Sequence, residues 1–461
     1  MSGDLTNIGF VLDPADNVAT LPWGGRAGNA VRLRGTSLSG VQALTISSDI
    51  APGHKVSLTD ISKGAAVLKY GLPIGIARLD IPAGALVHVD NVSSRFSLPE
   101  KANGKVADTM AVILSGALVK AVSAVLEAAG AAPEAAEDTA RHLASAEERG
   151  VSTHGIRRLP ALVTRLRAGG INGSASPLLQ RHGALVSVDG LAGLGHHVAR
   201  LATDSVIKTA RETGVAVALV RNSSHFGYAG FYATLMARAG MVGIAVSNGQ
   251  VLVGPPGACQ AIFSNNPLAL AAPIGSDGLF EFDMATSVTS RAHIAMAAET
   301  GAAIAPGIAL NGHGRPTVDA ADALAGILLP LGGEKGFGLI AALEVLTGVL
   351  PGGAYADQVV SKEAEPDHPE GTSHFLMAIS PAVCGSEETF RERMSDLEQR
   401  VVNLPMAPGT APARLPGSRR VALAKEAARA GLPLSKAALE VLKKLTSEAG
   451  VQLDLVMEVT A

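Results

Sequence analysis

The amino-acid sequence predicts a mixed α/β protein that begins with a small all-β domain. Over residues 1–98, short apolar runs alternate with Gly, Pro and Asp turns, which is the pattern of an all-β unit. From residue 107 to residue 461, helical periodicity alternates with β-like apolar runs, which is typical of an α/β body. The polar, turn-rich stretch 99–106 is the predicted linker between the two domains.

The elements of the body are predicted from the spacing of apolar residues. The run 106–132 predicts an amphipathic helix, and Pro133 with Glu134 marks the opening turn of a second helix over 133–147. Further strands are predicted over 184–190, 215–220 and 242–247. Further helices are predicted over 198–213, 228–239, 336–350, 420–430 and 435–448.

The composition indicates a globular protein and excludes several classes of function. Of the 461 residues, 47% are hydrophobic, 17% charged and only 3% aromatic, so the core must be built from Ala, Val, Leu and Ile. The net charge of −3, without a basic stripe interleaved with aromatic residues, argues against nucleic-acid binding. The longest apolar run contains Asp108, Lys120 and Glu127, which argues against a membrane span.

The start of the chain and the cysteines indicate a cytoplasmic protein. No basic region followed by an apolar run stands at the start, so we expect no signal peptide. The two cysteines, Cys259 and Cys384, lie in unrelated contexts without the spacing of metal ligands. They suit a reducing compartment, and no metal site is predicted.

The stretch from Gly150 to Pro160 carries the first candidate site. It places His154 four residues before Arg158, just after a helix-like run. The planar fork of Arg matches a carboxylate with two parallel hydrogen bonds, and His can exchange a proton near neutral pH. This pair suits a 2-hydroxy or 2-oxo acid, whereas the alternative is a helix-start loop with solvated charges.

His225 is the second candidate, because it follows the predicted strand 215–220 directly. Catalytic residues often lie just past strand ends. The loop around His225 is polar, and Gly227 allows close approach of another group. His225 is therefore a candidate acid/base, and a structural histidine is the alternative.

Two glycine-rich stretches could contact a nucleotide. Residues 189–195 precede a predicted helix, but the glycine spacing is the reverse of the dinucleotide-binding fingerprint, which argues against a Rossmann site. Residues 332–338 combine glycines with Lys335 before a helix, which suits an anion. No Ser or Thr follows Lys335, so this is not a Walker loop; a plain helix-start turn is the alternative.

Three more stretches are uninformative when taken singly. Asn248 ends a predicted strand and could touch a cofactor. Asp283 could support other site residues, bind a ribose or cap a helix. Pro416 and Gly417 precede a helix and could cover a cofactor from the C-terminal side.

In order along the chain, these stretches resemble the malate/L-lactate dehydrogenase family of non-Rossmann type, which includes ureidoglycolate and sulfolactate dehydrogenases and imine-carboxylate reductases. The resemblance covers about residue 107 to the end. It implies an NAD or NADP cofactor, a 2-hydroxy or 2-oxo acid substrate, a mostly antiparallel sheet and a homodimer. By resemblance, the catalytic and substrate-binding residues are His225, His154, Arg158 and Thr153, and the cofactor-binding residues are Asn248, Asp283, Met284, Ala285, Lys335, Pro416 and Gly417.

The chain departs from the family pattern at three places. Thr153 stands where the family usually has Ser, and Leu162 stands where an aromatic residue is common. Gln250 and Val251 replace the usual Ser-Pro after Asn248. These departures bear on the substrate's distal group and on the nicotinamide contacts.

The first domain resembles the SAF-type β-clip domain of altronate and galactarate dehydratases and of the sulfolactate sulfo-lyase small subunit. The resemblance covers about residues 7–96. Asp13 stands where those lyases usually have His, while His54, Lys55 and Lys69 are candidates for binding an acidic sugar or sulfonate. A β-clip that only docks on a partner is the alternative.

The sequence as a whole predicts an NAD(P)-dependent oxidoreductase of a 2-hydroxy acid. A lyase component, in which the first domain binds a sugar acid or sulfolactate for dehydration or desulfonation, is the main alternative. A degenerate, non-catalytic chain is a third reading, against which His154, Arg158 and His225 argue.

Overall fold

The computed structural model describes residues 8–11, 13–35, 42–69, 72–88, 90–94, 109–407 and 410–458. The chain divides into two compact units, Met1–Ala107 and Asp108–Ala461. The predicted linker over 99–106 lies outside the described residues.

The secondary structure described in the first unit consists of strands, as the turn-rich pattern predicts. They are β1 (Ile8–Phe10), β2 (Val18–Leu21), β3 (Ala30–Arg34), β4 (Gln42–Thr45), β5 (His54–Ser57), β6 (Ala66–Lys69), β7 (Leu72–Ala77), β8 (Leu86–Val87) and β9 (Val92–Ser94).

These strands form two small sheets, ordered β4-β3-β1-β2-β5-β8 and β6-β7-β9. Along β3, Val31 and Leu33 are buried while the positions between and beside them are exposed. This alternation follows from the two-residue period of a strand. Val31 and Leu33 pack with Leu21 and Val56 in the core of the larger sheet.

The second unit contains both strands and helices. The strands are β10 (Thr109–Ile113), β11 (Leu178–His182), β12 (Leu185–Asp189), β13 (Val215–Ser223), β14 (Val242–Ser247), β15 (Leu268–Ile274), β16 (Gly278–Met284), β17 (Ala309–Leu310), β18 (Ile327–Leu328), β19 (Thr372–Ile379), β20 (Leu432–Ser435) and β21 (Met457–Glu458). The α-helices are α1 (Ser115–Ala128), α2 (Pro133–Glu148), α3 (Leu159–Ala168), α4 (Gly195–Thr213), α5 (Gly230–Arg238), α6 (Arg291–Thr300), α7 (Ala320–Leu324), α8 (Glu334–Glu344), α9 (Glu387–Val402), α10 (Ser418–Ala430) and α11 (Lys436–Glu448).

A seven-stranded sheet, ordered β11-β12-β13-β19-β14-β15-β16, organises this unit. Its neighbouring strands are antiparallel except β12 and β13, which confirms the prediction of a mostly antiparallel sheet. Helices α4 and α5 pack on it through buried Val198, Val206, Tyr232 and Met236. The central strand β19 comes from late in the chain, and the sequence patterns did not predict it.

The prediction of one helix over 106–132 is wrong in its first part. Residues 109–113 form β10, and α1 begins only at Ser115. Strand β10 pairs antiparallel with β20, so that Ile113 lies opposite Leu432 near the other end of the chain. A short apolar run is compatible with either element, and this distant partner decides for the strand.

The predicted helix over 336–350 forms, but it changes type along its length. Helix α8 begins at Glu334 and continues after Glu344 as one π-helical turn, Val345–Val349. Single π turns inside helices are frequent near functional sites. Within the described residues, no helix combines the length and the apolar character that a bilayer span requires.

Candidate active site

Two short 3-10 turns, Ser152–His154 and Ile156–Arg158, connect α2 to α3 and carry the predicted substrate-binding residues. Glu147, near the end of α2, accepts a hydrogen bond from the N–H of Ile156 at 2.9 Å. Its carboxylate occupies the space that a Cβ at position 155 would need, so Gly155 is required there. Contact with α2 therefore shapes the loop that presents the site.

The guanidinium of Arg158 is held at its base and free at its tip. Its Nε donates to the carbonyl of Thr153 at 2.7 Å. The hydroxyl of Thr153 is in turn 3.1 Å from Nδ1 of His154. The two terminal nitrogens of Arg158 form no hydrogen bond or ion pair with any described residue. Such a fork is available for a carboxylate.

His225 lies beside His154, although the two are far apart in the sequence. The ring centroids are 5.8 Å apart and the rings are nearly parallel, at 12°. Burial lowers the pKa of His225 well below its ordinary 6.5, and the positive charges of Lys362 and Arg158 lower it further. Burial and the charge of Arg158 lower the pKa of His154 in the same way. Both imidazoles are therefore neutral at neutral pH.

A buried carboxylate, Glu370, positions the loop that carries His225. Its Oε2 accepts the N–H of His225 at 3.1 Å and the hydroxyl of Thr372 at 2.9 Å. Its other oxygen pairs with the buried guanidinium of Arg165. No motif pointed to Glu370, because its partners come from α3, the β13 loop and β19.

Two further histidines, His196 and His142, lie close to each other, and His196 lies close to His225. The ring centroid of His196 is 6.4 Å from that of His225, and the ring centroid of His142 is 4.7 Å from that of His196. Burial lowers the pKa of His142 to about 3 and that of His196 well below 6.5. The Nδ1 atoms of both have no partner among the described residues. No sequence motif singled out either histidine.

Asp283, a predicted cofactor residue, lies among buried charges at the end of β16. Arg420 donates to Asp283 at 3.3 Å and to Glu281 at 3.0 Å, and Arg149 pairs with Glu281. Burial raises the pKa of Asp283, and Arg420 opposes that shift. The start of α5 also packs closely on Asp283, because a Cβ at Gly230 would lie 2.9 Å from its carboxylate. Asp283 thus joins β16, α5 and α10, and its cofactor contact stays a prediction.

The other predicted cofactor segments meet near the same strand. The carbonyl of Thr286 accepts the N–H of Leu331 at 2.9 Å, which brings the turn 332–335 beside Met284 and Ala285. The antiparallel pairing continues between Ser287 and Pro330. Residues that are distant in sequence therefore line one edge of this part of the body.

The turn before α10 reaches β16 from the other side. The carbonyl of Pro416 accepts the N–H of Glu281 at 3.2 Å. Gly417 has a positive φ of 91° and leaves no room for a Cβ against Glu281, so glycine is required at this contact. The predicted residues Pro416 and Gly417 are thus packed on the strand that ends with Asp283 and Met284.

The start of α8 has the features of an anion site. Gly332 and Gly333 have positive φ values of 69° and 66°, and open space surrounds their α-carbons. Lys335 is exposed in the first turn, where free backbone N–H groups and the helix dipole favour an anion. Glu334 stands in the same turn and opposes this effect in part. These residues fit a phosphate group of a dinucleotide.

Asn248 lies at the end of β14 with its side chain fully engaged. Its Oδ1 accepts the N–H of Ser373 at 2.8 Å. Its Nδ2 donates to the carbonyl of Ala354 at 2.9 Å and lies 3.4 Å from Glu344. The side chain therefore connects β14 to the start of β19 and to α8, and its cofactor contact stays a prediction.

The glycine-rich loop between β12 and α4 lies in a strand-loop-helix unit, but its backbone donors are occupied. Leu191 donates to Asp189, and the other donors find carbonyls or the hydroxyl of Ser224. A Rossmann loop needs such N–H groups for a pyrophosphate. In this loop, protein acceptors occupy the N–H groups of Gly190, Leu191, Ala192, Gly193 and Gly195, so these groups are not available to a pyrophosphate.

The described ranges contain no group of three or more His, Cys, Asp or Glu side chains arranged to hold a metal ion. Cys259 and Cys384 are both free and exposed.

Comparison with known proteins assigns the two parts of the chain. The family model for malate/L-lactate dehydrogenase matches residues 115–443. The model for the altronate/galactarate dehydratase SAF domain matches residues 8–95. Both resemblances inferred from the motifs are thereby confirmed.

Individual relatives agree with the family model. A malate dehydrogenase of Pyrococcus abyssi is 33% identical over 337 residues, which cover 71% of this chain and 92% of the relative. An L-sulfolactate dehydrogenase of Methanocaldococcus jannaschii is 34% identical over 291 residues, covering 63% of this chain and 84% of the relative.

A solved sulfolactate dehydrogenase from Methanocaldococcus jannaschii superimposes with a TM-score of 0.67 at 31% identity, covering 74% of this chain and 98% of that one. The range matched by the family model contains His154, Arg158 and His225. The chain therefore belongs to the malate/L-lactate dehydrogenase family of oxidoreductases and carries an SAF-type domain at its N-terminal side.

Proposed function

We propose that this protein is an NAD(P)-dependent dehydrogenase of a 2-hydroxy acid. The observation that carries the proposal is the free guanidinium fork of Arg158 beside the stacked, neutral rings of His154 and His225. A carboxylate next to the reacting carbon suits the fork, and a neutral imidazole suits the hydroxyl proton.

Three side chains have distinct roles in the proposed mechanism. Arg158 binds the carboxylate with its two terminal nitrogens, and its bond to the Thr153 carbonyl holds the fork in place. His154 orients the substrate from beside the fork. His225 accepts the hydroxyl proton at Nε2, because Nε2 has no partner among the described residues. For Nε2 to accept a proton, the single hydrogen of the neutral ring must be on Nδ1. That tautomer gives up the hydrogen bond from the Gly227 N–H to Nδ1, which at 3.3 Å is long and weak.

The cofactor is held, in this proposal, by the residues gathered around β16 and α8. When bound, NAD or NADP supplies the hydride acceptor for oxidation of the acid. Lys335 and the backbone at Gly332 and Gly333 bind phosphate, and Met284 with Ala285 lies beside them. Arg420 keeps the strand end in place through Asp283.

The test of this function is a panel of hydroxy acids assayed with each cofactor. Lactate, malate, sulfolactate, ureidoglycolate and aldonates are incubated with the full chain and NAD or NADP, and the absorbance of reduced nicotinamide is followed. We expect turnover of at least one acid with one cofactor preferred. Absence of reduced nicotinamide with every acid, in a folded sample, would contradict the proposal.

We propose that the SAF-type domain has no lyase activity of its own. Asp13 replaces the expected His, and its carboxylate accepts the N–H of Ala15 at 2.8 Å, as a turn-stabilising residue does. Lys69 is buried and donates to the hydroxyl of Thr20. The ring of His54 lies 5.2 Å from that of His88. Sulfite released from sulfolactate without nicotinamide would favour the lyase alternative instead.

We further propose a cytoplasmic homodimer. Helix α8, the π-helical turn after it and the residues that follow expose several large apolar side chains, namely Leu339, Val345, Val349, Leu350 and Tyr355. Monomeric proteins rarely leave a large contiguous apolar patch uncovered. Light scattering after size exclusion should give twice the chain mass of 46.7 kDa. A mass of one chain at micromolar concentration would contradict the dimer.

A further inference from the structure

Lys362 is a half-buried ammonium in a loop that no sequence motif singled out. The loop is tied at its two ends, since the N–H of Val360 donates to the carbonyl of Glu370 at 3.0 Å. Arg165 donates to the carbonyl of His368 at 2.9 Å and so holds the second half of the loop on α3. The loop therefore has a defined place on the body.

The same anchor places this loop against the active site. Glu370, which closes the loop, also accepts the N–H of His225 at 3.1 Å. The charge of Lys362 lowers the pKa values of His225, His154 and His196, so the ammonium acts on all three imidazoles.

Lys362 has no hydrogen bond or ion pair with any described residue. Burial lowers the pKa of Lys362, and the charges of Glu370 and Glu363 oppose that shift. Glu370 forms an ion pair with Arg165, and Glu363 is exposed to solvent. Because the rings around the site are neutral, Arg158 and Lys362 leave the site with two cations. An ammonium taken partly out of water without a partner is costly, and a bound anion offsets that cost.

We propose that Lys362 binds the distal anionic group of a dianionic 2-hydroxy acid, either a second carboxylate or a sulfonate, while Arg158 binds the carboxylate next to the reacting carbon. This inference rests on the proposed function of the site. It makes Lys362 the residue that separates dianionic from monoanionic acids.

The test compares Lys362→Gln and Lys362→Arg with a matched control, Lys208→Gln, which removes an exposed lysine from α4. Malate and sulfolactate serve as dianionic substrates and lactate as the monoanionic one. Lys362→Gln should lower kcat/KM for both dianions by about tenfold to a hundredfold, as loss of a charged hydrogen bond does, and leave lactate within about threefold. Lys362→Arg should recover much of the loss, and the control should match the parent.

Equal losses for lactate and the dianions, or no loss at all, would overturn the inference. A loss for malate alone or sulfolactate alone identifies which anionic group Lys362 binds. Thermal shifts with malate, sulfolactate and lactate are measured in parallel, because they do not depend on turnover. If the parent turns over no acid, the proposed function fails, while a dianion-induced shift that Lys362→Gln abolishes still supports the binding role. A shift unchanged in that variant, or no shift by either dianion in the parent, contradicts it.

Discussion

Replacing His225 with alanine is expected to lower kcat by about a hundredfold or more, because a positioned general base contributes at least that much to turnover. KM should change much less, since Arg158 still binds the carboxylate. Initial rates of nicotinamide reduction, with the best acid of the panel, measure both constants. His182→Ala, which removes an exposed histidine from β11, is the matched control and should behave as the parent.

The pH dependence provides a second check on His225. The ring must be unprotonated to accept a proton, and burial, with Lys362 and Arg158, lowers its pKa well below 6.5. The unprotonated form therefore persists as the pH falls through 6.5, and kcat/KM for oxidation should fall only at more acid pH. If His225→Ala keeps turnover within a few-fold of the parent and retains the acid limb, another group is the base.

Replacing Arg158 with lysine is expected to raise KM by about tenfold to a hundredfold, with a smaller change in kcat. Lysine keeps the charge but loses the planar fork, so one of the two parallel hydrogen bonds to the carboxylate disappears. It also cannot donate from an Nε to the Thr153 carbonyl, the bond that now orients the guanidinium. Steady-state kinetics with the preferred acid give the two constants.

Arg157→Lys is the matched control for this experiment. Arg157 is exposed and lies 3.5 Å from Glu299, a surface pair that contributes little. Its substitution should leave KM near the parent value. Unchanged kinetics for Arg158→Lys together with a defect in Arg157→Lys would transfer the carboxylate-binding role to Arg157.

The local parts of the fold were predictable because their signals are local. Pro133 at a first helical position marked the start of α2, and the apolar run before His225 marked β13. The strand β10 was mistaken for helix because its partner, β20, lies near the other end of the chain. The central strand β19 escaped prediction, since its register is set by pairing with β13 and β14.

In the candidate site, too, local features were predictable from the sequence and contacts between distant residues were not. His154 and Arg158 share one loop, so their proximity could be inferred from spacing alone. Their nearness to His225 could not be derived from spacing and came with the family resemblance. Glu370 and Lys362 carried no signal in the sequence, because each acts on residues from other elements.

The sequence by itself determined the two-part organisation, the family and the residue types available for the chemistry, because motifs and periodicity are properties of short segments. Only the tertiary structure decided which charges are paired and which are free. Glu370 pairs with Arg165 and accepts the N–H of His225. The terminal nitrogens of Arg158 and the ammonium of Lys362, in contrast, have no partner among the described residues. Burial arises only in the packed molecule. It keeps the imidazoles neutral, and it makes an unpaired cation costly unless an anion binds.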